Sequence, residues 1–344
     1  MKKERNIQIE IVRILAMFMI VLGHAVLYGH AAEKILNNVY GGVLTTAIET
    51  FATPGTDIFV LISGYFLVKS KINVKRIIVL WLQILFYSVS IYLLMLTLGI
   101  TKFSYMELIK ACFPIAFNQY WFMRVYFYLI LCVPFLNKLI NSLEKKEHER
   151  LILLGIVLMV IPASIPGIAL FNNDAGNGIL WFIMLYLTGA YLQIYPPRFS
   201  AKSYTLMAFV FFMIAFFSRI GISWLSTLLG FSGMGENRLC TFDSFPIYAE
   251  AYCIVCAGIK MNLKIRHNSL GEKAILFLSE STAGVYMIHE HPLIRSTMWK
   301  WMDLENHMIL YTLLMVVLIF VICATIDQLT WKKIAKYLKK INNR

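Results

Sequence analysis

The chain has 344 residues, 59% of them hydrophobic and 15% charged, with a mean hydropathy of +0.68. Soluble globular domains are about 45–50% apolar and about 25% charged, so this composition excludes one and marks a polytopic membrane protein. The formal net charge of +13 invites a nucleic-acid partner, but the cations cluster between apolar segments, as membrane topology requires, and no nucleic acid is expected.

Apolar segments long enough to span a bilayer, about 20 residues each, fall near 7–29, 43–68, 75–98, 119–140, 151–170, 178–195, 203–222, 243–261, 274–295 and 307–330. The expectation is an all-α integral membrane protein of about ten transmembrane helices. They form a single domain over 1–330, with a basic amphipathic tail over 331–344. The first run carries Glu10 and Arg13 and lacks a small-residue cleavage site, so it is expected to stay as a spanning helix. The second segment is interrupted by Thr53-Pro54-Gly55-Thr56-Asp57, the ninth by Ser279-Glu280-Ser281-Thr282. Such residues at membrane depth are tolerated where they line an interior, so both segments are expected to be cavity walls. The longest polar loop is expected over 223–242, on the outer side.

Lysine and arginine orient the array. With the N-terminus inside, 23 fall in the inner segments and seven in the outer ones, which predicts both ends in the cytoplasm of a multi-pass plasma-membrane protein. The tail from Trp331 to Ile341 alternates apolar residues with lysines at helical spacing. It reads either as a helix lying on an anionic leaflet or as a plain cytoplasmic anchor. Of six cysteines, Cys253 and Cys256 form a C-x-x-C in an apolar helix with no second pair, so packing is expected rather than metal or redox work.

On the first segment Arg13 and His24 stand eleven residues apart. That is three helical turns with about 20° left over, so both face one way, roughly 16 Å apart along the axis. Ionisable groups within spans cost at least ~2.5 kcal/mol and are candidates for function. Arg13, in the inner half, offers planar donors suited to phosphate or carboxylate. His24, toward the outer half, can take a proton from an attacking hydroxyl. The structural alternative is an ion pair of Arg13 with Glu10 and a bond from His24 to a neighbouring helix. Asp57 follows the Pro54-Gly55 break and either caps the restarted helix or orients His24. Ser63-Gly64 reads as a close helix contact.

Lys69 and Arg76, with Lys71 and Lys75, form a basic inner mouth. They anchor the topology and would also attract an anionic cofactor. Trp121, Tyr126 and Tyr286 offer stacking surface for a sugar or adenine, or belong to the interfacial aromatic belts. In His289-Glu290-His291 the two histidines lie about 200° apart on a helix, so they do not readily share a metal. No metal is expected, and His289 is a candidate for seating the acceptor or cofactor.

Four stretches, in this order, resemble acyltransferase family 3 membrane proteins. They are Arg13-x₁₀-His24; Asp57 to Tyr65; Trp121-Phe122-x₃-Tyr126-x₇-Pro134-x₂-Asn137; and Ser281 to His289. The resemblance covers essentially the whole chain. It implies transfer of an acyl group, usually acetyl from cytoplasmic acetyl-CoA, to a surface or lipid-linked glycan. It also makes Arg13 and His24 essential, with His24 as the acid–base. Val60 departs from the pattern, many members having a second Phe there. The competing expectation is a transporter of a small polar metabolite or glycan precursor, which interrupted spans and buried charges also fit.

Overall fold

The computed structural model describes residues 6–30, 39–70, 73–165, 174–230, 237–304 and 309–341, and all regular structure among them is helical. Five helices are long and apolar enough to cross a bilayer: α1 (Ile7–Gly29), α4 (Val74–Thr97), α6 (Trp121–Ser142), α10 (Ala201–Leu229) and the run that opens at Ile309. The other apolar segments form shorter or broken helices, so five of the ten expected spans are each matched by one continuous helix long and apolar enough to cross.

Each break has a local cause. The second segment divides into α2 (Val39–Ala52) and α3 (Gly55–Leu67), with Pro54 between them. Proline cannot donate to the helix ladder, and its ring crowds the carbonyl four residues back, here that of Thr50. The fifth segment starts early, at Lys145, under a capping box of Glu144 and Glu147. It runs as α7 (Lys145–Gly155) through a π-helical turn (Ile156–Val160) into α8 (Ile161–Ser164). Residues 166–170 of that predicted span lie outside the described residues. The sixth and eighth segments become α9 (Ile179–Ile194) and α11 (Phe245–Lys260). The ninth divides into α12 (Leu270–Glu280), α13 (Thr282–His289) and α14 (Pro292–Met302). At its first break Gln328, on α15 (Ile309–Leu329), donates to the Phe277 carbonyl at 3.1 Å and to Ser281 Oγ at 2.9 Å. A side chain from the next helix thus satisfies the freed groups.

The predicted outer loop at 223–242 is corrected at its start. Helix α10 continues through Trp224 to Leu229, because Trp224, Leu225, Leu228 and Leu229 keep an apolar stripe at helical spacing and the stop comes at Gly230, in the left-handed region at φ 65°. Residues 231–236 of that loop lie outside the described residues, as do Lys2, Lys3, Arg5, Lys34 and Lys71 of the charge pattern.

Helix α1 is the hub. It packs against α2, α3, α11, α12, α13, α14 and α15, and Ile9, Ala16, Met19, Val21 and Ala25 are fully buried. Helix α10 instead exposes Leu206, Phe209, Phe217 and Leu228, an apolar face stable against lipid rather than water. Helices α3 and α9 approach until backbones touch. A Cβ on Gly64 would lie 2.3 Å from the Tyr186 carbonyl oxygen, and one on Gly189 2.1 Å from that of Leu61. Ser63-Gly64 is therefore a packing contact, as its sequence suggested. Asn137 clasps the end of α3 by donating to the Leu67 carbonyl at 3.0 Å, while it accepts from the Tyr186 hydroxyl at 2.6 Å. Cys253 and Cys256 are buried on α11 with free thiols.

Candidate functional site

Along α1 the residues Glu10, Arg13, Met17, His24 and Tyr28 fall on one stripe about 60° wide. The first three line a cavity of ≈ 1050 Å³, at the upper end of the about 300–1,000 Å³ usual for small-molecule sites. Both interrupted segments wall it, through Phe59 and Ser63 on α3 and through Ser279, Thr282 and Tyr286 on α12 and α13. Arg13 Nη1 donates to Glu10 Oε2 at 2.5 Å, and its guanidinium sits 5.4 Å from the centre of the Phe66 ring. The ion pair of the structural alternative is thus present, and it faces the cavity. Tyr126 stands on the same wall with its hydroxyl 3.2 Å from Ser63 Oγ.

His24 lies beyond the cavity, about 10 Å further along α1 than Met17 at 1.5 Å per residue. Tyr286 connects the two: it lines the cavity, and its ring centre is 6.4 Å from that of His24. The tyrosine ring packs on Phe122 with centres 5.4 Å apart.

The protonation pattern around His24 follows from its neighbours. His289, fully buried on α13, has Nδ1 2.6 Å from the Val285 carbonyl oxygen. A carbonyl only accepts, so His289 donates from Nδ1 and the neutral ring carries its lone pair on Nε2. That Nε2 is 2.9 Å from His24 Nδ1, which must then be the donor. The free lone pair of His24 is therefore on Nε2. Glu290 Oε2 sits beside the same His24 Nδ1 at 3.2 Å, as an ionic neighbour. Its other oxygen accepts from Arg295 Nη1 at 2.6 Å, and Arg295 in turn stacks over Tyr28 at 4.6 Å and donates to its hydroxyl at 3.3 Å. This is the logic of a base whose second nitrogen is held by one partner and whose cation is stabilised by a buried carboxylate.

The carboxylate beside His24 is Glu290, which corrects the reading of Asp57 as its orienting group and leaves the alternative of a carboxylate at a helix start. Asp57 is fully buried in the first turn of α3 and accepts from Trp181 Nε1 at 3.0 Å. It makes no contact with His24 among the described residues, and its place suits a carboxylate at a helix N-terminus. Glu290 was legible only as the middle of a metal-like triplet. The signal for it was Pro292, which ends the helix and turns Glu290 toward α1, together with Arg295 as its counter-charge. His291 does not join His289: its Nδ1 caps α14 by accepting from the Leu293 N–H at 3.2 Å.

The remaining candidates separate. Trp121 stacks on Phe242 at 6.0 Å and lies off the cavity wall. Lys69 donates to Gln193 Oε1 at 3.2 Å, and Gln193 lines the cavity while Lys69 does not. Arg76 is exposed at the start of α4 and is not part of the cavity wall, which that helix joins one turn later at Val79 and Leu80. His24, His289 and Glu290 present ligand-capable atoms within 4.8 Å of one another and could hold a metal ion. The spacing argument missed this set because it spans two helices. Yet the atoms concerned are those already engaged in the hydrogen-bonded chain.

The fold and site are those of a membrane protein, a bundle of apolar helices that holds a His24–His289–Glu290 cluster beside a large cavity. Residues 6–327 match the acyltransferase family 3 model, described as an acyltransferase domain. The chain belongs to that family and is a membrane acyltransferase; the transporter expectation falls with it. No curated protein and no solved structure matches the chain.

Proposed function

We propose that the protein is an O-acetyltransferase, moving acetyl from cytoplasmic acetyl-CoA to a hydroxyl of an extracytoplasmic or lipid-linked glycan at the plasma membrane. The observation that carries this reading is His24, with Nε2 free and Nδ1 set between His289 and Glu290, next to the tyrosine that closes the cavity. Acetyl-CoA supplies the thioester. The cavity fits such a donor by its size and by its gradient, from Phe59 and Phe122 on its walls to Arg13, Lys332 and Lys336 at the end where α1 begins.

His24 Nε2 takes the proton of the acceptor hydroxyl as that oxygen bonds to the acyl carbon, and returns it to the sulfur as the C–S bond breaks. Glu290 stabilises the imidazolium between those events, and Arg295 with Tyr28 holds Glu290. Tyr286 must swing aside for the acyl group to reach His24. With both chain ends inside, the cavity faces cytoplasmic donor and His24 faces outward acceptor, so no activated donor needs transport. His289 is assigned to fixing His24 rather than to binding acceptor, while Tyr126 and Arg13 are assigned to the donor.

The test is acetyl-CoA binding and slow thioester hydrolysis by the purified protein in nanodiscs. His24→Ala is expected to bind acetyl-CoA as the wild type does and to lose hydrolysis; wild-type turnover in this variant would remove His24 from the mechanism. A chelator is expected to leave turnover unchanged, and loss restored by added zinc would assign the His24–His289–Glu290 set to a metal instead.

A further inference from the structure

The C-terminal helix, α16 (Trp331–Ile341), follows α15 directly, and only Thr330 separates them. Trp331 is buried against Phe86 of α4, with ring centres 5.6 Å apart. Lys332 Nζ lies 3.8 Å from Asp327 Oδ2, and Asp327 is itself buried and held by a 2.6 Å hydrogen bond from the Tyr87 hydroxyl. The helix is thus docked on the bundle at its start. Its inner face, Trp331, Lys332, Ala335 and Lys336, forms part of the cavity wall shared with Arg13. Ile334 and Tyr337 are exposed on other faces, and so is Lys333, which lies off the cavity.

The charges there are unevenly committed. Arg13 is paired with Glu10, and Lys332 with Asp327. Glu280 is the other carboxylate on the wall. Lys336 makes no ion pair among the described residues, so it is the wall cation least committed to a carboxylate.

We propose that α16 is a binding element, with Lys336, seconded by Lys332, receiving the phosphate-bearing end of a nucleotide-linked thioester. This rests on the acetyl-CoA reading above and deepens it. The match to the family ends at residue 327, so the subsite is built by a segment beyond the matched domain. An ammonium point charge binds phosphate without demanding one geometry, which suits an exposed lysine at the mouth of a site.

The probes are acetyl-CoA and acetyl-pantetheine, which keeps the thioester arm but has no nucleotide phosphates. Binding is measured to the full chain in neutral-lipid and in anionic nanodiscs. Lys336→Ala is expected to weaken acetyl-CoA about tenfold, as a lost contact of about 1.4 kcal/mol does, and to leave acetyl-pantetheine unchanged. Lys336→Arg is expected to restore binding, and Lys333→Ala to change nothing. Unaltered acetyl-CoA affinity in Lys336→Ala overturns the assignment while the acetyltransferase reading stands. Equal weakening of both probes assigns Lys336 to structure and also overturns it. Loss shared by Lys333→Ala, in anionic discs alone, makes the helix a lipid-surface anchor instead. No acetyl-CoA binding by folded wild type overturns the acetyl-CoA reading and this assignment together.

Discussion

An imidazole inside an apolar bundle can act as a base only if one nitrogen is kept free and the cation it becomes is stabilised. In the proposed mechanism His289 meets the first condition at His24 and Glu290 the second, both delivered by the end of α13. Replacing Glu290 by Gln keeps the shape and removes the charge. Arg295, at 32% exposure, can then turn to solvent, so the fold should persist. We expect kcat to fall by about 10²–10⁴-fold, the range for general acid–base assistance, with acetyl-CoA affinity and thermal midpoint close to wild type. A variant with wild-type kcat would reduce Glu290 to a counter-ion for Arg295.

Among the elements, the interrupted segments place the chemistry. A straight ninth span would carry His289 past α1; the breaks at Ser281 and Pro292 allow α13 to stand against α1 and α15. The opposite wall depends on α3 crossing α9 at van der Waals distance, where Gly64 and Gly189 face backbone rather than movable side chains. Overpacking a core costs about 1–3 kcal/mol where side chains can shift. Gly64→Ala is expected to exceed that range, because the Tyr186 carbonyl cannot yield without moving α9. Gly221→Ala, in α10 with open space around its Cβ, is expected to be neutral or to stabilise by up to about 1 kcal/mol. Thermal unfolding in detergent compares the two, and equal midpoints would mean that α3 and α9 are free to separate.

For the molecule as a whole, the proposed orientation puts the basic end of the cavity in the cytoplasm and His24 toward the outside. Single cysteines in a cysteine-free background test it with a membrane-impermeant thiol reagent. Thr101→Cys, between α4 and the short helix α5 (Tyr105–Cys112), is expected to label in intact cells. Asn141→Cys, at the end of α6, is expected to label only after permeabilisation. The reverse pattern would invert the path from donor to acceptor.

Composition and apolar run length alone determined that the chain is helical and membrane-embedded, because continuous apolar runs of about 20 residues suit helices that satisfy their own backbone and not the shorter, alternating strands of a barrel. The eleven-residue spacing of Arg13 and His24 placed both on one stripe, because helical periodicity is a property of a single segment. The same local logic located the two breaks, since Pro54 and the Ser279–Thr282 run act on their own helices. It failed for the carboxylate at His24, where Asp57 was as good a candidate as any. The choice of Glu290 depends on how a broken ninth span leans on α1, and that is fixed by packing between residues some 265 apart in sequence. Tertiary structure alone also drew Lys332 and Lys336 into the cavity wall and left Lys69 and Arg76 out of it, because a lysine's reach is decided by where its helix docks and not by its neighbours in the chain.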